Sequence, residues 1–150
     1  MTNILFVCTG NTCRSPMAEA ILKSKQHSDI AAKSAGMFAD NLSEASLNTQ
    51  KVLTEEGIPI NHQSSLLTGE QVDWATYILT MTTSHKTLIL ERFPQALSKT
   101  FTLKELVEDG QVGLDSDITD PFGGPLPIYR DTYKELNQLI ERLLIKLKKI

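Results

Sequence analysis

The sequence ILFVCTGNTCRSP, residues 4–16, indicates both the fold of this chain and its chemistry. Four apolar residues, typical of a buried strand, run directly into Cys8. Ser15 and Pro16 then predict the start of a helix, with Ser15 as its N-cap and Pro16 as its first residue. A strand that ends in a tight loop ahead of a helix is typical of the ligand-binding edge of an open α/β sheet.

The loop that follows Cys8 is suited to binding a tetrahedral anion. Gly10 permits a tight turn and the close approach of a ligand, and Asn11 tolerates a left-handed backbone better than most residues. Successive N–H groups can then point at one anion, aided by the positive end of the helix. Arg14 carries a planar guanidinium that can hold two phosphate oxygens. The same groups favour a thiolate at Cys8, which we predict to attack phosphorus and form a cysteinyl-phosphate.

Such a reaction needs a general acid, and Asp120 is the best candidate. It begins DPFGGP, residues 120–125, a run of turn formers that predicts a surface loop. Asp120 can protonate the departing atom and later take a proton from the attacking water. Phe122 is predicted to form an apolar wall at the mouth of the site. Spacing along the chain does not place this loop beside Cys8.

Together these motifs resemble the low-molecular-weight protein tyrosine phosphatases. The resemblance is carried by VCTGNTCRSPMAE at 7–19, SAG at 34–36, ILTM at 78–81 and DPFGG at 120–124. It implies that residues 1–150 form one low-molecular-weight phosphatase domain of α/β class. It also implies a four-stranded parallel sheet in the order 2-1-3-4.

The resemblance assigns roles to individual residues. It implies that Cys8 is the nucleophile, Arg14 the phosphate-binding arginine and Asp120 the general acid. It implies that three polar residues support the loop: Asn11, Ser34 and His62. The substrate-binding set that it implies comprises Thr9, Gly10, Asn11, Thr12, Cys13, Arg14, Ser15 and Phe122.

Thr12 favours one branch of this family. Tyrosine-directed members usually carry an aliphatic residue here, and a threonine resembles the bacterial branch that acts on phosphoarginine in proteins. A threonine hydroxyl can orient a polar guanidinium leaving group and Asp120, whereas an aliphatic side chain would crowd them. Phe122 in place of tyrosine is similar to some members of that branch. We therefore predict a protein arginine phosphatase that opposes a protein arginine kinase in bacterial stress control, with a tyrosine phosphatase as the alternative.

Cys13 is the only other cysteine, and two interpretations have equal weight. Free cysteines are usually buried, so Cys13 can be a small residue packed behind the loop. It can also be a resolving thiol that captures an oxidised Cys8 as a reversible disulfide, which would make the enzyme redox-sensitive. The tight loop limits the geometry of such a bridge.

Two other classes of protein share parts of this pattern. Thioredoxin-linked arsenate reductases use a similar loop, but their redox relay needs additional downstream cysteines that this chain lacks. A phosphopeptide-binding module with an inactive site is the alternative that is not an enzyme. The presence of Cys8, Arg14 and Asp120 together disfavours that alternative.

Composition is consistent with a soluble domain. The chain of 150 residues is long enough for one core, and its net charge of −3 offers no basic field for nucleic acid. No apolar run reaches the length of a membrane span. Because a reactive thiol is safest in a reducing compartment, we expect the protein to be cytoplasmic. We also expect a monomer whose partners are arginine-phosphorylated proteins. We expect no cofactor and no metal, since His27, His62 and His85 lack metal-ligand spacing.

Strand-like and helical patterns alternate along the chain, which predicts a parallel sheet covered on both faces. Strands are expected at Asn3–Val7, near 31–34, at Tyr77–Met81 and around 100–103. Helices are expected at Pro16–Lys25, Glu44–Glu56 and Ser84–Arg92, and from about 128 to 149. In the last helix, apolar residues at three-four spacing from Tyr133 to Leu147 predict a buried stripe.

Overall fold

Four parallel strands form one sheet in the order β2-β1-β3-β4, which confirms the predicted topology. The computed structural model describes residues 1–108 and 116–148. Its strands are β1 at Thr2–Cys8, β2 at Ile30–Gly36, β3 at Tyr77–Thr80 and β4 at Thr100–Thr102. Because the strands are parallel, the carboxyl ends of β1, β2 and β3 lie at one edge of the sheet.

All four helices predicted from the sequence are present, but the second begins at Leu47, after its N-cap Ser46, and not at the predicted Glu44. The helices are α1 at Arg14–Ser24, α2 at Leu47–Glu55, α3 at Gly69–Trp74, α4 at Thr83–Arg92, α5 at Leu103–Val107 and α6 at Leu126–Lys148, with a 3₁₀ helix at Pro94–Lys99. The short elements α3, α5 and the 3₁₀ helix were not predicted, because they hold too few turns for periodicity to be visible. For α3, the capping box formed by Thr68 and Gln71 was a readable signal.

Alternate residues of β1 point to opposite faces of the sheet, and each face has its own core. Ile4 and Phe6 are fully buried against α1, α2, α5 and α6. Leu5 and Val7 are equally buried on the other face, against α3, α4 and the 3₁₀ helix. The stripe from Tyr133 to Leu147 packs on the first face as predicted. The expectation of helices on both faces is thus confirmed.

The start of α1 differs from the prediction. Cys13 occupies the N-cap without a capping side chain, so that Ser15 and Pro16 are the second and third helical residues. The physical reason is that the Ser15 hydroxyl is engaged elsewhere, with the side chains of Cys8 and Asn11. In the described part of the chain, no helix has an apolar segment long enough to cross a membrane. Position 149, the predicted end of the last helix, lies outside the described residues.

Candidate active site

A cavity of about 240 Å³ lies at the carboxyl end of β1. The residues that line it come from the Cys8 loop (residues 8–15) and from the Asp120 loop (residues 120–125): Cys8, Thr9, Gly10, Thr12, Cys13, Arg14, Asp120 and Phe122. The fold therefore brings Asp120 to the same cavity as Cys8, a proximity that chain spacing could not establish. Most members of the substrate-binding set predicted from the sequence lie on its wall.

Cys8, the last residue of β1, is 3% exposed, and its sulfur lies 2.8 Å from Ser15 Oγ. Asn11 Nδ2 donates a hydrogen bond to the same Ser15 oxygen at 2.8 Å. Because that oxygen already accepts from an amide, the Ser15 hydroxyl proton is available to the sulfur of Cys8. A hydroxyl donor in this position stabilises negative charge on the sulfur. Ser15 thus contacts the sulfur of Cys8, although it is not one of the residues that line the cavity.

Asn11 holds the centre of the Cys8 loop. It is fully buried, with a left-handed φ of 56° as expected. Its Nδ2 also donates to Ser34 Oγ at 2.9 Å, and its Oδ1 accepts from the backbone N–H of Ser65 at 2.9 Å. His62 Nε2 lies 2.7 Å from the Asn11 carbonyl oxygen. The structure thus brings the three support residues of the sequence analysis together, and the buried Asn11 side chain does not line the cavity.

Gly36 is the glycine whose missing side chain the packing of the Cys8 loop requires. A Cβ at Gly10 would meet only Thr12 Oγ1, at an ordinary 3.6 Å. A Cβ at Gly36 would stand 2.6 Å from the Thr9 carbonyl oxygen and 2.9 Å from Asn11 N. The end of β2 therefore approaches the Cys8 loop so closely that only a glycine fits there. Gly36 belongs to the quoted SAG motif, but nothing local in the sequence revealed this contact.

Arg14 is almost completely buried and links the two loops. One guanidinium nitrogen, Nη1, donates to the Ile118 carbonyl oxygen at 2.8 Å. The other, Nη2, lies 3.5 Å from Asp120 Oδ2. The second carboxylate oxygen of Asp120 accepts from the Phe122 backbone N–H at 3.0 Å, while half of the side chain stays exposed. Arg14 is thus preorganised, and Asp120 remains accessible from the cavity.

Residues of α2 and α6 contact the end of the Cys8 loop that leads into α1. The backbone N–H of Ser46, the N-cap of α2, donates to the Thr12 carbonyl oxygen at 2.8 Å. The Cys13 thiol donates to Ser46 Oγ at 3.5 Å and lies 3.5 Å from the Tyr129 hydroxyl. Burial and the hydrogen bond with Cys13 raise the pKa of Tyr129. Neither Cys8 nor Cys13 is in a disulfide, so both interpretations of Cys13 remain open.

His85 is a neighbour of the site that the sequence analysis did not identify. Its Nε2 lies 2.9 Å from Thr9 Oγ1, and the residue is 5% exposed. Burial, followed by the nearby charge of Arg14, lowers its pKa to about 4. The available signal was its position after the third strand, whose carboxyl end lies beside Cys8. Within residues 1–108 and 116–148, no cluster of histidine, cysteine and carboxylate side chains could hold a metal ion.

A parallel α/β sheet with a cysteine-arginine loop at its carboxyl edge, faced by an aspartate, defines a recognisable class of protein. The family model of low molecular weight phosphotyrosine protein phosphatase matches residues 3–150. The chain belongs to this family, as the resemblance in its motifs implied.

Similar proteins carry more specific names. A protein-arginine-phosphatase of Geobacillus stearothermophilus is 56% identical over 96% of this chain and 95% of its own length. A solved structure of the YwlE arginine phosphatase from that organism has a TM-score of 0.94, covering 99% of this chain and 94% of that one. The Bacillus subtilis protein-arginine-phosphatase is 44% identical over 98% of this chain and 97% of its own.

A third comparison concerns the reaction. A YwlE mutant in which serine replaces a cysteine has a TM-score of 0.92 and 44% identity, covering 99% of this chain and 97% of that one. Its active-site serine is phosphorylated.

Proposed function

We propose that residues 1–150 form one phosphatase domain that hydrolyses phosphoarginine in proteins through a cysteinyl-phosphate. The observation that carries this proposal is the cavity in which Cys8, Arg14, Asp120 and Thr12 meet. The names of the similar proteins from Geobacillus and Bacillus support the choice of phosphoarginine. In a YwlE mutant with serine in place of a cysteine, the active-site serine is phosphorylated, which supports a covalent intermediate on Cys8 here.

In the first step, the Cys8 thiolate attacks the phosphorus of the substrate. An S–P bond forms and the P–N bond to the arginine side chain breaks, with its electron pair passing to the guanidine nitrogen. The Asp120 carboxyl group gives its proton to that nitrogen, so that the arginine side chain leaves as a neutral guanidine instead of an anion and Asp120 is left as a carboxylate. Arg14 binds the phosphoryl oxygens from the floor of the cavity.

In the second step, water hydrolyses the cysteinyl-phosphate. The Asp120 carboxylate takes a proton from the water, whose oxygen attacks phosphorus while the S–P bond breaks. The electron pair returns to Cys8, and the Ser15 hydroxyl, 2.8 Å from that sulfur, stabilises the thiolate that leaves. Ser15 therefore contributes to both steps.

Trapping the intermediate tests the covalent route. Acid quenching during turnover of a phosphoarginine peptide, followed by mass spectrometry, is expected to find phosphate on Cys8. The Cys8→Ser variant should not turn over. Cys13→Ser is the matched control, because it removes the other thiol of the same cavity and should still give the trapped phosphate. Repeated failure to trap phosphate on Cys8 in an active sample would contradict this route.

Thr12 is the residue to test for substrate choice. Thr12 is one of the residues that line the cavity, and its carbonyl oxygen accepts a hydrogen bond from the Ser46 N–H. A substitution of its side chain therefore changes the wall of the cavity and leaves that backbone hydrogen bond in place. Wild type is expected to prefer phosphoarginine over phosphotyrosine and phosphoserine peptides. Thr12→Ile should shift the ratio toward phosphotyrosine.

A second variant separates the two properties of the threonine. Thr12→Val keeps its shape but removes the hydroxyl, so that its effect reports on hydrogen bonding alone. A wild type that prefers phosphotyrosine, or a ratio unmoved by Thr12→Ile, would favour the alternative of a tyrosine phosphatase. The ratio is measured as kcat/KM for matched peptides that differ only in the phosphorylated residue.

The biological setting is part of the same proposal. We place the enzyme as a monomer in the cytoplasm, opposing a protein arginine kinase in stress response, with phosphorylated proteins as partners and neither nucleic acid nor membrane. Redox sensitivity through a Cys8–Cys13 disulfide is supported by the fact that both cysteines line the same cavity. Peroxide treatment followed by mass spectrometry tests it: permanent inactivation without an intramolecular disulfide would contradict a protective role for Cys13.

A further inference from the structure

The contact between Thr9 and His85 joins the rim of the cavity to α4. Thr9 lies next to the nucleophile and is one of the residues that line the cavity, and its Oγ1 is 2.9 Å from His85 Nε2. The backbone of Thr9 is held as well, because its carbonyl oxygen accepts from the Phe38 N–H at 2.9 Å. With both backbone and side chain held, the Thr9 hydroxyl has a defined place at the cavity.

The surroundings of His85 indicate which of its nitrogens carries the proton. The ring is neutral near pH 7, since burial lowers its pKa to about 4. Nδ1 is buried, and among the described residues it has no hydrogen-bond partner. A buried N–H without an acceptor costs more than a buried lone pair without a donor, so the proton belongs on Nε2. His85 then donates to Thr9 Oγ1.

This direction of donation determines what Thr9 can do. A hydroxyl oxygen that accepts from Nε2–H keeps its own proton free for another acceptor. Were the proton on Nδ1, Thr9 would donate to His85 and present only lone pairs to the cavity. A phosphoryl group carries negatively charged oxygens, which a donor attracts and a lone pair repels. The tautomer of a histidine outside the cavity wall therefore controls the polarity of one group on that wall.

We propose that the Thr9 hydroxyl donates a hydrogen bond to a phosphoryl oxygen of the bound substrate, and that His85 is a positioning residue that directs this hydroxyl. The inference rests on the proposed binding of a phosphoryl group in the cavity, and it adds a donor from outside Arg14 and the loop amides. His85 acts through Thr9, and it touches neither the phosphorus nor the leaving group.

A double-mutant cycle tests the coupling, with the inhibition constant of inorganic phosphate and kcat/KM as readouts. Thr9→Val removes the hydroxyl and keeps the shape of the side chain. It should raise the inhibition constant of phosphate and lower kcat/KM, each roughly tenfold. His85→Leu should weaken both roughly fivefold in the wild-type background and have no effect in the Thr9→Val background. Equal effects of His85→Leu in both backgrounds would mean that His85 only fills space, which overturns the proposal.

Conservative variants provide the matched controls. Thr9→Ser keeps the hydroxyl and His85→Gln keeps an N–H donor of similar reach, so that each should stay within about threefold of wild type. Loss of phosphate binding in His85→Gln equal to that in His85→Leu would overturn the role of the donor. If His85→Leu does not fold, the comparison of Thr9→Val with Thr9→Ser still decides whether the hydroxyl binds phosphate.

Nuclear magnetic resonance on the wild-type protein gives a readout that needs no turnover. The ¹⁵N shifts of the His85 ring are expected to show the neutral Nε2–H form from pH 5 to pH 8. An Nδ1–H form would overturn the proposal. Because phosphate binding and ring shifts do not depend on which phosphorylated residue is hydrolysed, failure of this inference is distinguishable from failure of the arginine phosphatase assignment.

Discussion

Replacing Gly36 by alanine should damage both the stability and the active site of this protein, although the change adds a single methyl group. The new Cβ would lie 2.6 Å from the Thr9 carbonyl oxygen and 2.9 Å from each of Asn11 N and Ala39 Cβ. These neighbours are two backbone atoms and a side-chain carbon next to the backbone, so no flexible side chain can move aside. Either the end of β2 or the Cys8 loop must shift.

The size of the effect follows from that geometry. Ordinary contact begins near 3.4 Å, so the closest approach is about 0.8 Å too short. Overpacking of this kind costs about 1–3 kcal/mol, and the rigid neighbours place Gly36→Ala near 3 kcal/mol. For a chain of this size, that loss lowers the melting temperature by about 6–12 °C. A comparable displacement of Thr9 beside the nucleophile lowers kcat/KM by about 100-fold.

The assay combines guanidinium unfolding with hydrolysis of a phosphoarginine peptide and of para-nitrophenyl phosphate. The aryl phosphate makes the activity readout independent of the natural substrate. Gly69→Ala is the matched control. The nearest atom to its Cβ is Phe93 Cε1 at 3.8 Å, and Gly69 is the first residue of α3. Alanine there should stabilise by at most about 1 kcal/mol and leave hydrolysis unchanged.

The result that would refute this reasoning is a Gly36→Ala protein as stable and as active as the Gly69→Ala control. It would mean that the close approach of β2 to the Cys8 loop relaxes without cost. A loss of stability with full activity would refute only the predicted loss of kcat/KM, because the strain would then be relieved by a shift that does not move Thr9.

Three further predictions concern the site. Asp120→Asn should slow hydrolysis by about 100-fold, most for the most basic leaving groups, in a series of aryl phosphates of graded pKa. Ser15→Ala should slow alkylation of Cys8 by iodoacetamide and lower kcat/KM roughly tenfold, because the sulfur loses its hydroxyl donor. The pKa of His85 falls from 6.5 to about 4 on folding, so that as the pH is lowered His85 is protonated in the unfolded chain before it is protonated in the folded one. Stability from this group is therefore full above pH 6.5 and falls by about 2 kcal/mol toward pH 4, allowing for partial screening. Urea unfolding across this range should show that loss in wild type and not in His85→Gln.

Local sequence determined the elements that build this protein. The apolar run that ends at Cys8, the alternation of strands and long helices, and the stripe of α6 follow from residues close together in the chain, whose preferences act over one or two turns. Asn11 was likewise readable as the left-handed residue, because few other side chains tolerate that backbone. The family motifs added the strand order, which periodicity does not contain.

Tertiary structure alone decided which of these residues meet. The approach of Asp120 to Arg14, of Gly36 to Thr9 and of His85 to Thr9 depends on how the ends of three strands and a distant loop gather at one edge of the sheet. Tertiary structure also decided that the Ser15 hydroxyl contacts the sulfur of Cys8 and does not cap α1. The physical reason is that a side chain forms hydrogen bonds only with groups that the packing brings within about 3 Å, and the number of residues between two positions does not determine their distance in space.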